Sequence, residues 1–368
     1  MRVLHVYAGN LYGGVEAMLA TIARHRHLVP GMETRFALAY KGRLSRELRG
    51  IGAPVAMVGG ARISRPWTVW SARRAMAKVL MSEKPDISIF HSAWTHGVFA
   101  PAAERAGVPA VFWLHDAVSG GAAERLARRT RPRLAICTSE FVRATLTKLF
   151  GATVESTVIH PPVAPPAETR DERAAVRAEL ETAEDSVVVV QASRMEPWKG
   201  HRVHLEALGR LRGDPRWTCW LAGGAQRPHE LRHRDAMRAL AASLGIAGRV
   251  RWLGERADVP RLLAAADVLC QPNLGPEPFG ITFVEAMYAA LPVVGAALGG
   301  AREIVTGATG FLVPPGDAVA TAEVLRTLVG DRETRVRLGA AGPARARELS
   351  DPERQMRRLH DILVKVAR

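Results

Sequence analysis

Glu277 and Glu285 bound the stretch EPFGITFVE, whose intervening residues are mostly apolar. An unpaired buried charge is costly, so carboxylates in such a run need hydrogen-bond donors. The preceding ADVLCQP (266–272) reads as a strand. NLGPEPFG then leads into a helix from about Ile281 to Ala290, stopped by Pro292. Glu277 falls in the loop, and Glu285 on the second helical turn, on the face of Ile281. Such a helix start offers free N–H groups at Gly280, Ile281, Thr282 and Phe283, which suit a ligand phosphate. The two carboxylates would then accept hydrogen bonds from neutral hydroxyls on either side of that phosphate. The plainer alternative makes Glu277 a helix-start acid favoured by the dipole and Glu285 a solvated residue.

Two further loops suit an anion. ASRMEPWKGH (192–201) follows a strand, and Arg194 and Lys199 straddle the turn that closes on Gly200. A planar guanidinium and a point-charge ammonium together match a diphosphate; otherwise they are two solvated cations. YAGNLYGGVEA (7–17) runs from a strand through Gly9, Gly13 and Gly14 into a helix. That loop is an anion site or a plain strand-to-helix turn. HELRH (229–233) matches the H-E-x-x-H zinc pattern. Arg232 and Arg234 interleave it and no third ligand is evident, so it reads as a solvated surface helix.

These loops need strands to hold them. Short β-rich runs near Val3–Tyr7, Thr34–Ala39, Pro54–Val58, Ile87–Phe90, Ala110–Leu114, Leu134–Thr138 and Thr157–Ile159 alternate with helical stretches such as Gly14–His25, Arg65–Met81 and Ser139–Leu149. HPPVAPPAETRDER (160–173) reads as a linker. The alternation restarts in SVVVVQA (186–192), RWTCWLAGG (216–224), RVRWLG (249–254), ADVLCQP and PVVGA (292–296). This predicts two α/β domains with doubly wound, mostly parallel sheets, 1–163 and 164–349. Ligands of such sheets bind beyond the carboxyl ends of the strands, so the motifs should line a cleft between the two domains.

The 368 residues are 48% hydrophobic and 24% charged, an ordinary globular composition. MRVLHVYAGNLYGG reads as a strand entering a glycine loop, so no targeting segment is expected. Cys137, Cys219 and Cys270 stand alone in apolar runs and read as reduced core residues of a cytoplasmic protein. Residues 1–165 hold 22 Lys+Arg against 10 Asp+Glu, nearly all of the chain's net +15. Such asymmetry points to an acidic partner. ARISRPWTVWSARRAMAKVL (61–80) combines Arg62, Arg65, Arg73, Arg74 and Lys78 with Trp67 and Trp70. Either the tryptophans pack in the core and the cations are solvated, or the stretch lies on an anionic membrane. No nucleic-acid-binding signature is present.

The E-x7-E spacing with Pro-Phe-Gly, the later LGGAREIV (298–305), the upstream SRMEPWKG and the N-terminal GNLYGGVE together resemble the retaining family 4 glycosyltransferases, nucleotide-sugar enzymes of the GT-B fold. The resemblance covers nearly the whole chain and is strongest over 186–316. It implies that Arg194 and Lys199 bind the donor diphosphate, Glu277 the donor sugar and Glu285 the ribose. It also implies that Gly280, Ile281 and Thr282 face the phosphates, and that Gly13 and Gly14 close on them. WLHD (113–116) resembles the segment that puts a histidine, here His115, near the donor sugar. Leu253 and Arg256 fall where the base is gripped, and a C-terminal helix at about 350–368 returns to the first domain. The implied reaction moves a sugar from a UDP-sugar to a hydroxyl of a glycan, lipid-linked or small-molecule acceptor. No nucleophile is implied, only same-face displacement helped by the leaving phosphate. No cofactor or metal is expected, since no two Asp stand two apart in a D-x-D. Peripheral contact with the inner membrane face follows if the basic stretch meets lipid. The alternatives are a nucleotide-sugar epimerase of related fold and a non-catalytic sugar-nucleotide or glycan-binding protein.

Overall fold

The computed structural model describes residues 1–166 and 172–367. Residues 167–171, within the stretch read as a linker, and residue 368 lie outside the described residues. The chain forms two compact units: Met1–Val163 with the segment from Ser350 onward, and Ala164–Leu349.

In the first unit, β1 (Arg2–Tyr7), β2 (Glu33–Leu38), β3 (Val55–Met57), β4 (Ile87–His91), β5 (Ala110–Leu114), β6 (Leu134–Cys137) and β7 (Ser156–Val158) form one sheet in the order β3-β2-β1-β4-β5-β6-β7. In the second, β8 (Val187–Ala192), β9 (Trp217–Ala222), β10 (Val250–Gly254), β11 (Val268–Gln271), β12 (Val293–Ala296) and β13 (Gly310–Val313) are ordered β10-β9-β8-β11-β12-β13. Every strand pair is parallel. Helices join the strands, and both are doubly wound sheets of Rossmann type.

The central strands are covered on both faces, which explains their unbroken apolar runs. β8, VVVVQA, is buried at all six positions. Its branched side chains favour extended backbone and pack on both sides. The sheet of the second unit reverses winding between β8 and β11, and the loops after those two strands carry the Arg/Lys and Glu motifs. Strand β13, GFLV between Thr309 and Pro314, is one that the sequence reading passes over; its three apolar residues are flanked by glycine and proline, which read as turns. Cys137, Cys219 and Cys270 are free thiols in the core. Burial pushes the Cys137 thiol up to about 12, so it is inert.

Candidate functional site

The second unit gathers its chemistry beyond β8 and β11. The turn after β8 closes on Gly200, whose φ of +76° is left-handed; a Cβ there would fall 1.9 Å from the Pro272 carbonyl oxygen. Only glycine lets the two loops meet this closely. Leu274 N–H donates to the Trp198 carbonyl (2.7 Å), and Gln191 Nε2 donates to the Lys199 carbonyl (2.8 Å). A second close approach holds the Glu277 loop: Gly300 N–H donates to the Glu277 carbonyl at 2.7 Å. A Cβ at neighbouring Gly299 would sit 2.4 Å from that same oxygen. The downstream LGGA is therefore a clamp on the loop.

This framing brings Lys199 Nζ to 2.7 Å from Glu277 Oε2. Asn273 Nδ2 donates to the same oxygen at 2.7 Å and Gln271 Nε2 at 3.3 Å. The ammonium also lies 4.0 Å from the centre of the Trp198 ring, a cation–π contact. So Glu277 takes three side-chain donors and is neither a bare helix-start acid nor a solvated one. Arg194 is held between two carboxylates, Glu196 Oε1 at 2.8 Å and Glu230 Oε1 at 3.2 Å. Glu196 also accepts from Trp198 Nε1. The two cations are half-buried and paired, which excludes the solvated alternative.

The HELRH segment differs from the sequence reading. It lies in helix Pro228–Ser243, but its Glu230 is fully buried. Glu230 Oε2 accepts from the backbone N–H of Gln226 (2.5 Å) and Arg227 (3.2 Å) while its other oxygen holds Arg194. Ligand atoms of Glu196, His229 and Glu230 lie within 4.8 Å of one another. A metal ion there would compete with the Arg194 guanidinium, which already bonds both carboxylates, so the donor set does not suit one.

Helix Ile281–Tyr288 begins after Gly280 at φ +111°. Phe283 N–H is taken by the Gly280 carbonyl at 3.0 Å, which removes it from the expected set of free donors. Among the described residues, no acceptor is seen for the N–H groups of Gly280, Ile281 and Thr282. Thr282 Oγ1 bonds the Ala192 carbonyl, tying the helix start to the end of β8. Glu285 is half-buried on the next turn, with no side-chain partner among the described residues. Desolvation pushes its carboxyl up to about 7.

Of the base-side pair, Leu253 is half-buried in β10 and Arg256 is engaged elsewhere. Asp258 (2.7 Å) and Glu179 (2.9 Å) both grip the Arg256 guanidinium and raise its affinity for its proton. It behaves as a structural clasp.

In the first unit, Gly14 opens helix Gly14–Arg24. Gly13 N–H donates to the Glu16 carboxylate at 3.0 Å, so one of the two expected phosphate-facing groups is engaged by the chain itself. His115 follows β5 and is almost wholly buried. Its Nε2 lies 3.0 Å from His91 Nδ1, and His91 Nε2 lies 2.9 Å from His5 Nδ1. Burial lowers all three, His5 and His115 to about 3. On the outer face, Trp67 and Trp70 are 66% and 63% exposed, which corrects the reading that packs them in the core. Arg73 bonds the carbonyls of Val98 and Gly97 at 2.8 and 3.0 Å and is not a solvated cation.

Sequence reasoning missed Gln271, Asn273, Glu196, Glu230, His5 and His91. The first two had a signal: amides in QPN just before the Glu277 loop have no reason to be there except to bond something.

The description "Glycosyl transferases group 1" matches residues 172–345, and "Glycosyltransferase Family 4" matches 12–165. A D-inositol 3-phosphate glycosyltransferase of Nocardia farcinica is 34% identical over 220 residues, 58% of this chain and 48% of that protein. The lipopolysaccharide core biosynthesis glycosyltransferase LpsE of Rhizobium meliloti is 34% identical over 167 residues, 45% of this chain and 46% of that protein. These matches span about half the length of the curated relatives. The crystal structure of Anabaena Alr3699/HepE in complex with UDP and glucose superposes with TM-score 0.88 at 26% identity, covering 99% of this chain and 100% of that one. With its two parallel-sheet units, the chain belongs to the family 4 glycosyltransferases of the GT-B fold.

Proposed function

We propose that this protein transfers a sugar, with retention and without a metal ion, from a UDP-sugar to a hydroxyl of a glycan, lipid-linked or small-molecule acceptor. The observation that carries it is the Lys199–Glu277 pair at 2.7 Å beside a helix start with free N–H groups. A donor diphosphate at that helix start draws Lys199 towards phosphate and frees Glu277 Oε2 for sugar hydroxyls, while Asn273 and Gln271 hold the carboxylate in place. Arg194 supplies the second cation. Glu285, unpaired and half-buried, accepts from ribose hydroxyls. In the first unit, His115, Gly13 and Gly14 keep the donor-binding roles that the family resemblance implies, with Gly13 giving up its bond to Glu16 to do so. Side-chain cations and helix N–H groups stabilise charge on the leaving diphosphate in place of a metal.

The crystal structure of HepE with UDP and glucose supports the choice of base. The test is release of UDP or GDP from a panel of nucleotide sugars, with and without acceptor hydroxyls and EDTA. Acceptor-dependent UDP release that survives EDTA is expected. Turnover of the donor with no acceptor would favour an epimerase, GDP release would overturn the base, and no turnover at all would favour a binding protein.

The first unit adds a partner, an anionic bilayer. Helices Pro66–Glu83, Ala93–Arg105 and Ala122–Ala127 border a groove of about 880 Å³. Val69, Trp70 and Leu126 are apolar parts of its lining, and Arg74, Arg105 and Arg129 are among its cations. No carboxylate pairs with those three arginines among the described residues. Exposed Trp67, Trp70 and Met81 on the first of these helices suit the interface of a bilayer, which would hold the enzyme beside a lipid-linked acceptor. Among the described residues, no helix is long and apolar enough to cross a membrane.

A further inference from the structure

His5 and His91 lie on the adjacent strands β1 and β4, and His115 directly follows β5, the next strand of the sheet. His5 pairs in register with Ile89, two residues before His91; His91 pairs with Trp113, two residues before His115. Side chains two apart share a face of a sheet, so the three imidazoles step diagonally across β1, β4 and β5 on one face. Their centroids are 5.1 and 5.2 Å apart and successive planes lie within 17°. That suits rings joined edge to edge through in-plane lone pairs. Trp113 stacks on His91 and Tyr7 meets it edge-on, closing the chain off from water.

Each ring is neutral, because burial disfavours the imidazolium, and a neutral imidazole has one N–H. Each of the two links needs one proton. Three protons can satisfy both links in only two ways, all pointing towards His115 or all pointing towards His5. The far end decides between them. His5 Nε2 is buried with no partner. Pointing the protons that way strands an N–H donor in the core, whereas the other sense leaves only a bare lone pair there, and orphaned buried donors are the rarer defect.

We infer that His5 and His91 are positioning residues that fix the proton of His115 on Nδ1. His5 Nδ1–H donates to His91 Nε2, His91 Nδ1–H donates to His115 Nε2, and His115 presents Nδ1–H. At that atom it is a hydrogen-bond donor to an oxygen of the ligand and cannot act as a base. This rests on the proposed place of His115 beside the donor sugar. The tautomer itself does not, and it is read without activity.

The test uses the full chain labelled with ¹⁵N-histidine, where long-range ¹H–¹⁵N correlations distinguish protonated from bare ring nitrogens. His115 should show a protonated Nδ1 and a bare Nε2. In His5→Phe, which removes the anchor but keeps an aromatic in its place, His115 should become a mixture of tautomers. kcat should fall about 3- to 10-fold with the donor KM little changed. His91→Gln offers the same readout should His5→Phe fold poorly. A protonated Nε2 on His115 in the wild type, or an unmoved tautomer in both variants, would overturn the inference. If the tautomer is as stated but His115→Ala turns over normally, the placement of His115 beside the sugar fails while the chain stands.

Discussion

At the strand ends the second unit is charged and the first is neutral. Beyond β8 and β11, two cations face three carboxylates, Arg194 between Glu196 and Glu230 and Lys199 on Glu277. Beyond β4 and β5 the comparable positions hold imidazoles that burial keeps uncharged. The same sheet architecture therefore presents two chemistries. On the proposed function, the cations of the charged end exchange a carboxylate for a phosphate. The buried imidazoles offer a hydrogen-bond direction. The first unit puts its surplus charge on outer helices instead.

The sharpest way to break this comparison is to remove the exchanging cations. Lys199→Ala or Arg194→Ala should lower kcat/KM by about 10- to 100-fold, since charge-assisted hydrogen bonds contribute roughly 1.5–3 kcal/mol each. Glu277→Gln should leave affinity for the free nucleoside diphosphate intact while slowing transfer. Isothermal titration with UDP beside steady-state rates separates the two. Undiminished turnover in both cation variants would remove the diphosphate assignment.

Acid should next tell the units apart. Burial lowers His5, His91, His96 and His115 in the first unit, against His201, His204 and the less buried His233 in the second. Below pH 6.5 the unfolded chain binds protons that the folded one refuses. This stability is whole above 6.5 and is lost as pH falls towards folded values of about 3 to 4. Each histidine contributes up to roughly 1.4 kcal/mol per pH unit in that window. Hydrogen exchange at pH 7, 6 and 5 should show protection lost first in β1, β4 and β5. Equal loss in both units would erase the contrast.

A smaller effect concerns Glu285. Desolvation raises its carboxyl to about 7, and the ionised form accepts hydroxyl hydrogen bonds more strongly than the protonated one. Affinity for UDP should rise about 3- to 10-fold from pH 6 to 8, and Glu285→Gln should flatten the profile and weaken binding at pH 8. A wild-type profile already flat would assign the ribose to another group.

The smallest expected effect is on the outer face. At low salt the protein should sediment with vesicles containing phosphatidylglycerol, and less so at physiological ionic strength, where screening acts within about 8 Å. Arg74, Lys78, Arg105 and Arg129 changed to Gln, with Trp67 and Trp70 to Ala, should abolish this without altering transfer to a soluble acceptor. Wild type that stays in the supernatant at low salt would leave the basic face without a membrane role.

How much of this could be read beforehand follows from what sequence encodes locally. Alternation of branched strands and helices marked all the described strands but β13, whose three apolar residues sit between Gly310 and Pro314 in a stretch that reads as loop. The spacing of Glu277 and Glu285 placed one in a loop and one on a helix. Neither pattern says that Lys199, 78 positions earlier, will bond Glu277. That contact depends on Gly200 and on the reversal of winding between β8 and β11. Glu230 looked solvated because its neighbours are charged, and its burial comes from the Arg194 loop lying over it. His5 sat unnoticed inside an ordinary strand pattern, since only register across three strands shows it in line with His91 and His115. The tryptophans of the outer helix failed for the opposite reason: apolar residues are assigned to the core by default, and these two are not there.

Val163 donates its N–H to the carbonyl of Ser350 at 2.9 Å, where the chain leaves the first unit and where it returns. Helix Pro352–Ala367 then packs within that unit, with His360 against Gly31. The second unit is thus spliced into the first as an insert. On a ribosome adding roughly 5–20 residues per second, the insert is finished while its host still lacks a helix. The part made first is the part completed last. A premature stop just before Ser350 should yield a sound insert on an unfinished host, exposed to proteases through a defect encoded nearly two hundred residues downstream. Conversely, joining Val163 to Ser350 through a few glycines should give a free-standing host, because the gap to close is no longer than a hydrogen bond.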